Sequence, residues 1–324
     1  MRVIGSLATG LVIAVLLSLL LGSVPLPIDR VLAALAWQAS DGDQLVVWQI
    51  RLPRALAAAV VGAALGMSGA ALQGLLRNPL AEPGILGVSA TAALFATFVL
   101  YFGLATAGPF VLPIAAVAGA LLATLLVAAA ALRNQSVVTL ILIGVGLSSF
   151  SAALMALLMN LAPNPFSLAD MVNWMLGTVA NRSLDDLAFA TPFMLVGIAI
   201  LLATSRGLSA LALGEETAEG LGLNLKTQRL GVIVGAGLST GAAVALAGSI
   251  GFVGIVAPHL VRPFVRYDPA RLLIPSAILG ALLLVLADIG VRLLPTDNEL
   301  KLGVVASLIG APIFIWIASR RRLA

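Results

Sequence analysis

The chain has 324 residues, 61% hydrophobic and 10% charged, with a mean hydropathy of +1.12. That leaves too little polar surface to coat a soluble globule, and the sequence reads as an all-α polytopic membrane protein with one transmembrane domain over 1–324. The lack of cysteine excludes a disulfide framework or thiolate metal site, and the net charge of +4 is spread over loops, which bears on topology and points to no nucleic-acid partner.

The first apolar run, 4–23, is longer than a signal-peptide core and no A-x-A cleavage site follows, so it reads as a span. Further runs fall at 55–76, 85–104, 111–132, 139–161, 187–205, 230–248, 250–261, 272–291 and 303–319. A span needs roughly 20 residues to cross about 30 Å of hydrocarbon. The charge-free stretch 230–261 would make a helix of about 48 Å, too long for one untilted crossing. A break at "AGSIG" makes it two crossings. With the amino terminus inside, the cytoplasmic side then holds Arg2, Arg77, Arg133, Arg206, Lys226, Arg229, Arg262, Arg266, Arg271 and Arg320 to Arg322, which are 12 of the 18 basic residues. A single crossing leaves only eight inside, against the positive-inside bias. Ten spans with both termini cytoplasmic follow.

"VGAALGMSGA" at 61–70 and "VGAGLSTGAA" at 234–243 agree at five of ten positions. One run enters from outside and the other from inside, the pattern of an inverted repeat of spans 2–5 against 7–10. Gly62, Gly66, Gly69, Gly235 and Gly241 suit close helix packing.

"VWQIRLPR" opens the second span. Pro53 fits the first turn of a helix, which puts Arg51 and Arg54 at its amino-terminal, outer end. Cations there oppose the helix dipole by roughly 0.3–1 kcal/mol each and run against the positive-inside trend. Lipid phosphate, a carboxylate such as Asp41 or Asp43, or an acidic protein docking from outside would each compensate.

The inner loop 206–229 contains "SALALGEETAEGLGLN", which alternates acidic and apolar residues and ends at Gly222 and Asn224, as a short capped amphipathic helix does. A phosphate-binding loop is missing: the Lys226–Thr227 pair follows "LGLNL", with leucine where the second glycine belongs. His259 has no second His, Cys or nearby carboxylate with which to build a metal site. Asp170 and Asp288 give no paired-carboxylate geometry, so an enzyme is not indicated. The competing class is an ion-coupled secondary transporter with inverted repeats, for which Asp288 is the nearest approach to a mid-span ionisable group.

"VWQIRLPR", "NPLAEPGILGVS", "LALGEETAEGLGL", "ALAGSIGFVGIVAPHLVR" and "LLLVLAD", in that order from residue 47 onward, resemble the signature segments of the FecCD family. These are permease subunits of type II ABC importers, and the cobalamin permeases are the closest likeness. The resemblance implies that Arg51, Arg54 and Arg292 engage glutamates of a periplasmic substrate-binding protein. Arg292 has a rival role, since Asp288 lies one turn earlier and an i, i+4 ion pair would be structural. It implies that Glu215, Glu216, Ala218, Glu219 and Leu221 form the coupling surface for an ABC ATPase dimer. It further implies that two permease copies, expected to be identical, enclose the pathway within the lipid of a bacterial inner membrane. No cofactor is expected in this chain; ATP and Mg belong to the ATPase. The resemblance places the cytoplasmic gate at Ser136, Val137, Val138 and Thr139, and the two valines stand where cobalamin permeases place small hydroxyl residues, so a drier gate is expected. Lys301 replaces the proline of "ELPxG", and "YDPAR" replaces "DHR". Ferric siderophore, haem and cobalamin are all admissible cargo.

Overall fold

The computed structural model describes residues 2–22, 26–133, 136–294 and 299–320, so Arg321 and Arg322 of the charge tally lie outside the described residues. Every regular element among them is helical. All ten expected spans are helices: α1 Arg2–Leu20, α4 Leu52–Leu75, α5 Val88–Tyr101, α6 Val111–Leu132, α7 Val137–Asn160, α9 Leu184–Ala203, α12 Leu225–Ala247, α13 Val253–Val261, α14 Pro269–Leu293 and α15 Leu302–Arg320. Seven are long and apolar enough to cross a bilayer alone, while those beginning at Val88, Val253 and Leu302 are shorter apolar helices. Five short helices fill the connections: α2 Ile28–Leu35, α3 Asp41–Leu45, α8 Pro165–Met175, α10 Ser205–Leu211 and α11 Glu215–Gly220.

The long charge-free stretch does break where its glycines suggested. α12 ends at Gly248, which has φ +71, and Phe252 has φ +67 before α13 begins. A side chain at Gly248 would strike the Trp174 carbonyl, so the position also demands glycine for close approach. The irregular backbone finds partners within the protein: Thr178 N–H donates to Ala247 O at 2.7 Å, and Gly303 N–H to Gly177 O at 3.1 Å. Non-helical chain at membrane depth is tolerated when protein satisfies it in this way.

Pro53 stands in the first turn of α4, as expected, but the chain is already helical before it. A π-helical segment, Val46–Arg51, runs straight into α4, and α3 leads into it, so the chain is helical from Asp41 to Leu75. Proline cannot donate a backbone hydrogen bond, and it occupies the junction where the winding changes.

α4 packs most intimately against α14, and α12 against α9 and α6. The pairing α4 with α14 and α12 with α6 is the exchange that two repeated four-helix units, α4–α7 and α12–α15, would make. Small residues set the distances. Gly62 and Gly66 lie against the backbone of Gly280 and Ser276, Gly69 against Gly254, Gly235 against Leu201, and Gly241 against Ala120. α4 and α12 are largely buried in consequence, whereas α1 and α7 are mostly exposed. Backbones this close gain dispersion contacts, which lipid cannot supply by exclusion.

A methyl group at Gly69 would overlap the Gly254 carbonyl, whereas one at Gly5 meets nothing within 4 Å. Gly69→Ala should therefore cost about 1–3 kcal/mol by overpacking and lower the melting temperature of the detergent-solubilised protein. Gly5→Ala should leave it unchanged or slightly raised.

Candidate functional site

Two clusters of candidate residues lie at opposite ends of α14, a helix of 25 residues and so about 37 Å long. At its end, Asp288 and Arg292 join Arg51 and Arg54. At its start, Asp268 accepts a hydrogen bond from Ser209 of α10 at 2.5 Å, beside the expected coupling loop.

In the first cluster, Asp288 is 1% exposed and lies between two guanidiniums. Arg54 donates to it from Nε (2.9 Å) and Nη2 (2.8 Å), and Arg292 Nη2 lies 3.1 Å from its other oxygen. The i, i+4 ion pair expected for Arg292 is therefore present. Arg54 also pairs with Glu299, at 3.2 Å from Nη1 to Oε2 and through a second contact from Nη2 to Oε1. Arg51 points the other way. Its Nη1 donates to Leu19 O at 2.7 Å and Leu20 O at 2.9 Å. Arg292 donates to Ser18 O at 3.1 Å, Leu21 O at 3.2 Å and the Ser18 hydroxyl. Four successive carbonyls at the end of α1 thus accept from two arginines. These are the acceptors that a helix terminus leaves without intrahelical partners, and a cation there suits the dipole.

This arrangement settles the electrostatic difficulty raised by "RLPR". Arg51 opposes one dipole but complements another. Neither Asp41 nor Asp43 balances the pair: Asp43 binds Arg30 at 2.6 and 2.8 Å, and the carboxylates on Arg54 are Asp288 and Glu299. Sequence reasoning missed Glu299. The motif in which it stands drew attention only to Lys301, two residues later, and no local spacing links Glu299 to Arg54.

At the other end the single expected helix is two, α10 and α11, separated at Gly214 with φ +104. α11 stops at Gly222, with φ +86, where Leu223 N–H donates to Ala218 O at 3.0 Å and Gly222 N–H to Glu219 O at 2.8 Å. Asn224 then caps α12 by accepting from Thr227 N–H at 3.0 Å. The five expected coupling residues divide. Glu216, Glu219 and Leu221 are exposed, Leu221 to 67%. Ala218 is fully buried, and Glu215 pairs with Arg229 at 2.8 Å, fastening α11 to α12. A polar hollow of about 540 Å³ opens beside them, lined by Glu219, Asn224, Lys226 and Arg229.

The expected gate residues begin α7. Ser136 caps it, accepting from Thr139 N–H at 3.2 Å, with the two hydroxyls 3.1 Å apart. Val137 packs toward the core, and Val138 is 64% exposed. The neighbouring Asn134 and Gln135 lie outside the described residues. His259 is half-buried in the last turn of α13, and among the described residues no three His, Cys, Asp or Glu side chains converge on a metal position.

The FecCD transport family model matches residues 10–320. The uncharacterized ABC transporter permease protein YvrB of Bacillus subtilis is 38% identical over 96% of this chain and 91% of its own length. The vitamin B12 import system permease protein BtuC of Citrobacter koseri is 39% identical over 99% of this chain and 95% of its own. A solved metal-chelate type ABC transporter in an inward-facing conformation superposes with a TM-score of 0.89 and 33% identity, covering 98% of this chain and 99% of that one.

The cluster at the end of α14 yields a stability order. Removing the buried charge with Asp288→Asn leaves Arg54 and Arg292 facing each other and should cost about 3–5 kcal/mol. Asp43→Asn releases only the half-exposed Arg30 and should cost about 0–1 kcal/mol. Thermal melts in one detergent should rank the two accordingly.

Proposed function

The chain belongs to the FecCD transport family, and on that premise we propose that it is the permease of an ATP-driven importer carrying a metal chelate, of the cobalamin, haem or ferric siderophore kind, into the cytoplasm. The observation that carries this reading is the superposition on a metal-chelate transporter over 98% of the chain. The arginine cluster faces the periplasm of a bacterial inner membrane and receives a substrate-binding protein, while α10 and α11 face the cytoplasm with both termini. The positive-inside rule supports this orientation. Cargo specificity rests mainly with the binding protein.

ATP and Mg act on a separate ATPase dimer. The exposed Glu216, Glu219 and Leu221 offer that partner an acidic and apolar surface, and the buried Ala218 and paired Glu215 hold its shape. Two permease copies enclose the pathway, with α7 as its wall. That helix turns Val138, Leu142 and Val145 outward on one face, leaving it for a neighbour. ATP binding then shifts α10 and α11 and changes which end of the pathway is open. An ion-coupled secondary transporter fits less well, because Asp288 is held by two arginines and offers no open site to a coupling ion.

Transport of a labelled cobalamin into proteoliposomes holding permease, ATPase and binding protein tests the reading, with haem and a ferric siderophore in parallel. Uptake of none of the three chelates would overturn it. Orientation is tested separately: Gln38→Cys should react with an impermeant maleimide on intact spheroplasts and Thr217→Cys only after lysis, the parent chain having no cysteine. Replacing Glu216 and Glu219 together by lysine should reduce ATPase co-purification at least tenfold, since unlike charges in an interface cost several kcal/mol when reversed. The melting temperature should hold, because both side chains are exposed.

A further inference from the structure

The three arginines at the end of α14 differ in what they hold. Arg51, 5% exposed, and Arg292 donate to the last carbonyls of α1, so both are bound into the joint between helices. Arg54 holds two carboxylates of opposite character. Asp288 is 1% exposed and fixed from a second side by Arg292. Glu299 has 40% of its side chain exposed and stands on the segment that leads into α15. A guanidinium presents its donors as a planar fork, and carboxylates bind the same donors in the same way, so a second carboxylate on that side must replace Glu299. Exposed ion pairs are weak and exchange readily, whereas buried, doubly held ones do not.

We infer that Glu299 is an internal stand-in for the docking partner: its carboxylate occupies Arg54 in the free permease, and an acidic side chain of the binding protein takes its place. Arg54 is then the arginine that changes partners, and Arg51 and Arg292 are positioning residues that fix the joint on which it sits. The inference rests on the proposed docking role of this face. It explains why a guanidinium whose side chain is only 10% exposed, at the outer end of α4, is charge-balanced before any partner arrives. The group of Arg51, Arg54 and Arg292 with Asp288 and Glu299 carries a net +1, and release of Glu299 toward water raises the positive charge offered to an acidic partner.

The test titrates the cognate substrate-binding protein onto the permease–ATPase complex in nanodiscs. Glu299→Gln should tighten binding about two- to fivefold, the worth of an ion pair open to solvent on its carboxylate side. In an Arg54→Gln background, which itself weakens docking, the same change should have no effect, because the competition is for Arg54. Asp41→Asn removes an equal charge from an exposed position with no contact to Arg54 and should change binding by less than half as much. Unchanged or weaker binding in Glu299→Gln, tightening that persists without Arg54, or equal tightening in Asp41→Asn would overturn the exchange while leaving docking intact. Should Arg54→Gln bind the partner normally, the docking reading itself fails. Melting temperatures for every variant separate loss of the joint from loss of docking, and Arg51→Gln should move the melt where Glu299→Gln does not.

Discussion

Burying a lone carboxylate costs several kcal/mol, and Asp288 is buried to 1% exposure near the end of a membrane helix. Arg54 and Arg292 offset that cost, and in doing so they join the start of α4 to the end of α14. Arg292 and Arg51 then reach on to α1, whose window is only 17% buried. Packing alone gives such a helix little hold on the bundle, because lipid tails are as apolar as its own surface. Its carbonyl terminus supplies the hold instead. The acceptors that every helix end leaves open meet two cations that the ion-pair cluster has already fixed in place.

Away from this joint the bundle is held by closeness. Glycine on α4 meets the backbone of α14 and α13, and glycine on α12 meets Ala120 and Thr124 of α6. Polar contacts reappear at the opposite end of α4. There Gln73 donates to Ala81 O and Gly254 O at 3.2 Å and accepts from Arg262, which ties the end of α4 to the broken backbone around α13. Short helices, left-handed residues and the loop before α5 gather where side chains from a continuous helix can satisfy them.

Much of this was legible in the chain. Apolar run lengths and basic-residue parity gave ten spans and the break at "AGSIG", because hydrophobic thickness and charge placement act on composition. The small-residue echo between 61–70 and 234–243 pointed to helix crossings for the same reason. The Arg292–Asp288 pair was legible because it is local, one helical turn. The bonds from Arg54 to Asp288 and Glu299 were not, for they join residues 234 and 245 positions apart, and a single sequence carries no sign of such a meeting. Arg51 misled for a related reason. The dipole argument considered the helix that it begins, while its guanidinium serves the helix that precedes it. In the coupling loop, the stop signal at Gly222 was read correctly, but Asn224, taken as part of the same helix end, caps the start of α12, and the turn at Gly214 that makes two helices of one went unseen.

The division between tight and loose helices bears on motion. α4 and α14 touch backbone to backbone where Gly62 and Gly66 face Ser276 and Gly280, so neither slides far against the other without overlap there. One end of this pair holds the arginine cluster. At the other, Gly74 packs against Leu208 of α10 and Ser209 bonds Asp268 at the start of α14. A displacement of α10 is therefore passed to the α4–α14 pair as a whole rather than absorbed at its surface. α7 shares that constraint at one crossing, where Gly144 lies against the backbone of Ile85 and Leu86; beyond it the helix is mostly exposed, Gly146 meets nothing within 4 Å, and its first turn is secured by a serine cap in place of an ion pair. A closely packed pair joining two surfaces about 37 Å apart is a construction in which a push at one end is carried to the other, and under the proposed reading the apolar outer face of α7 is what such a push would move against its neighbour.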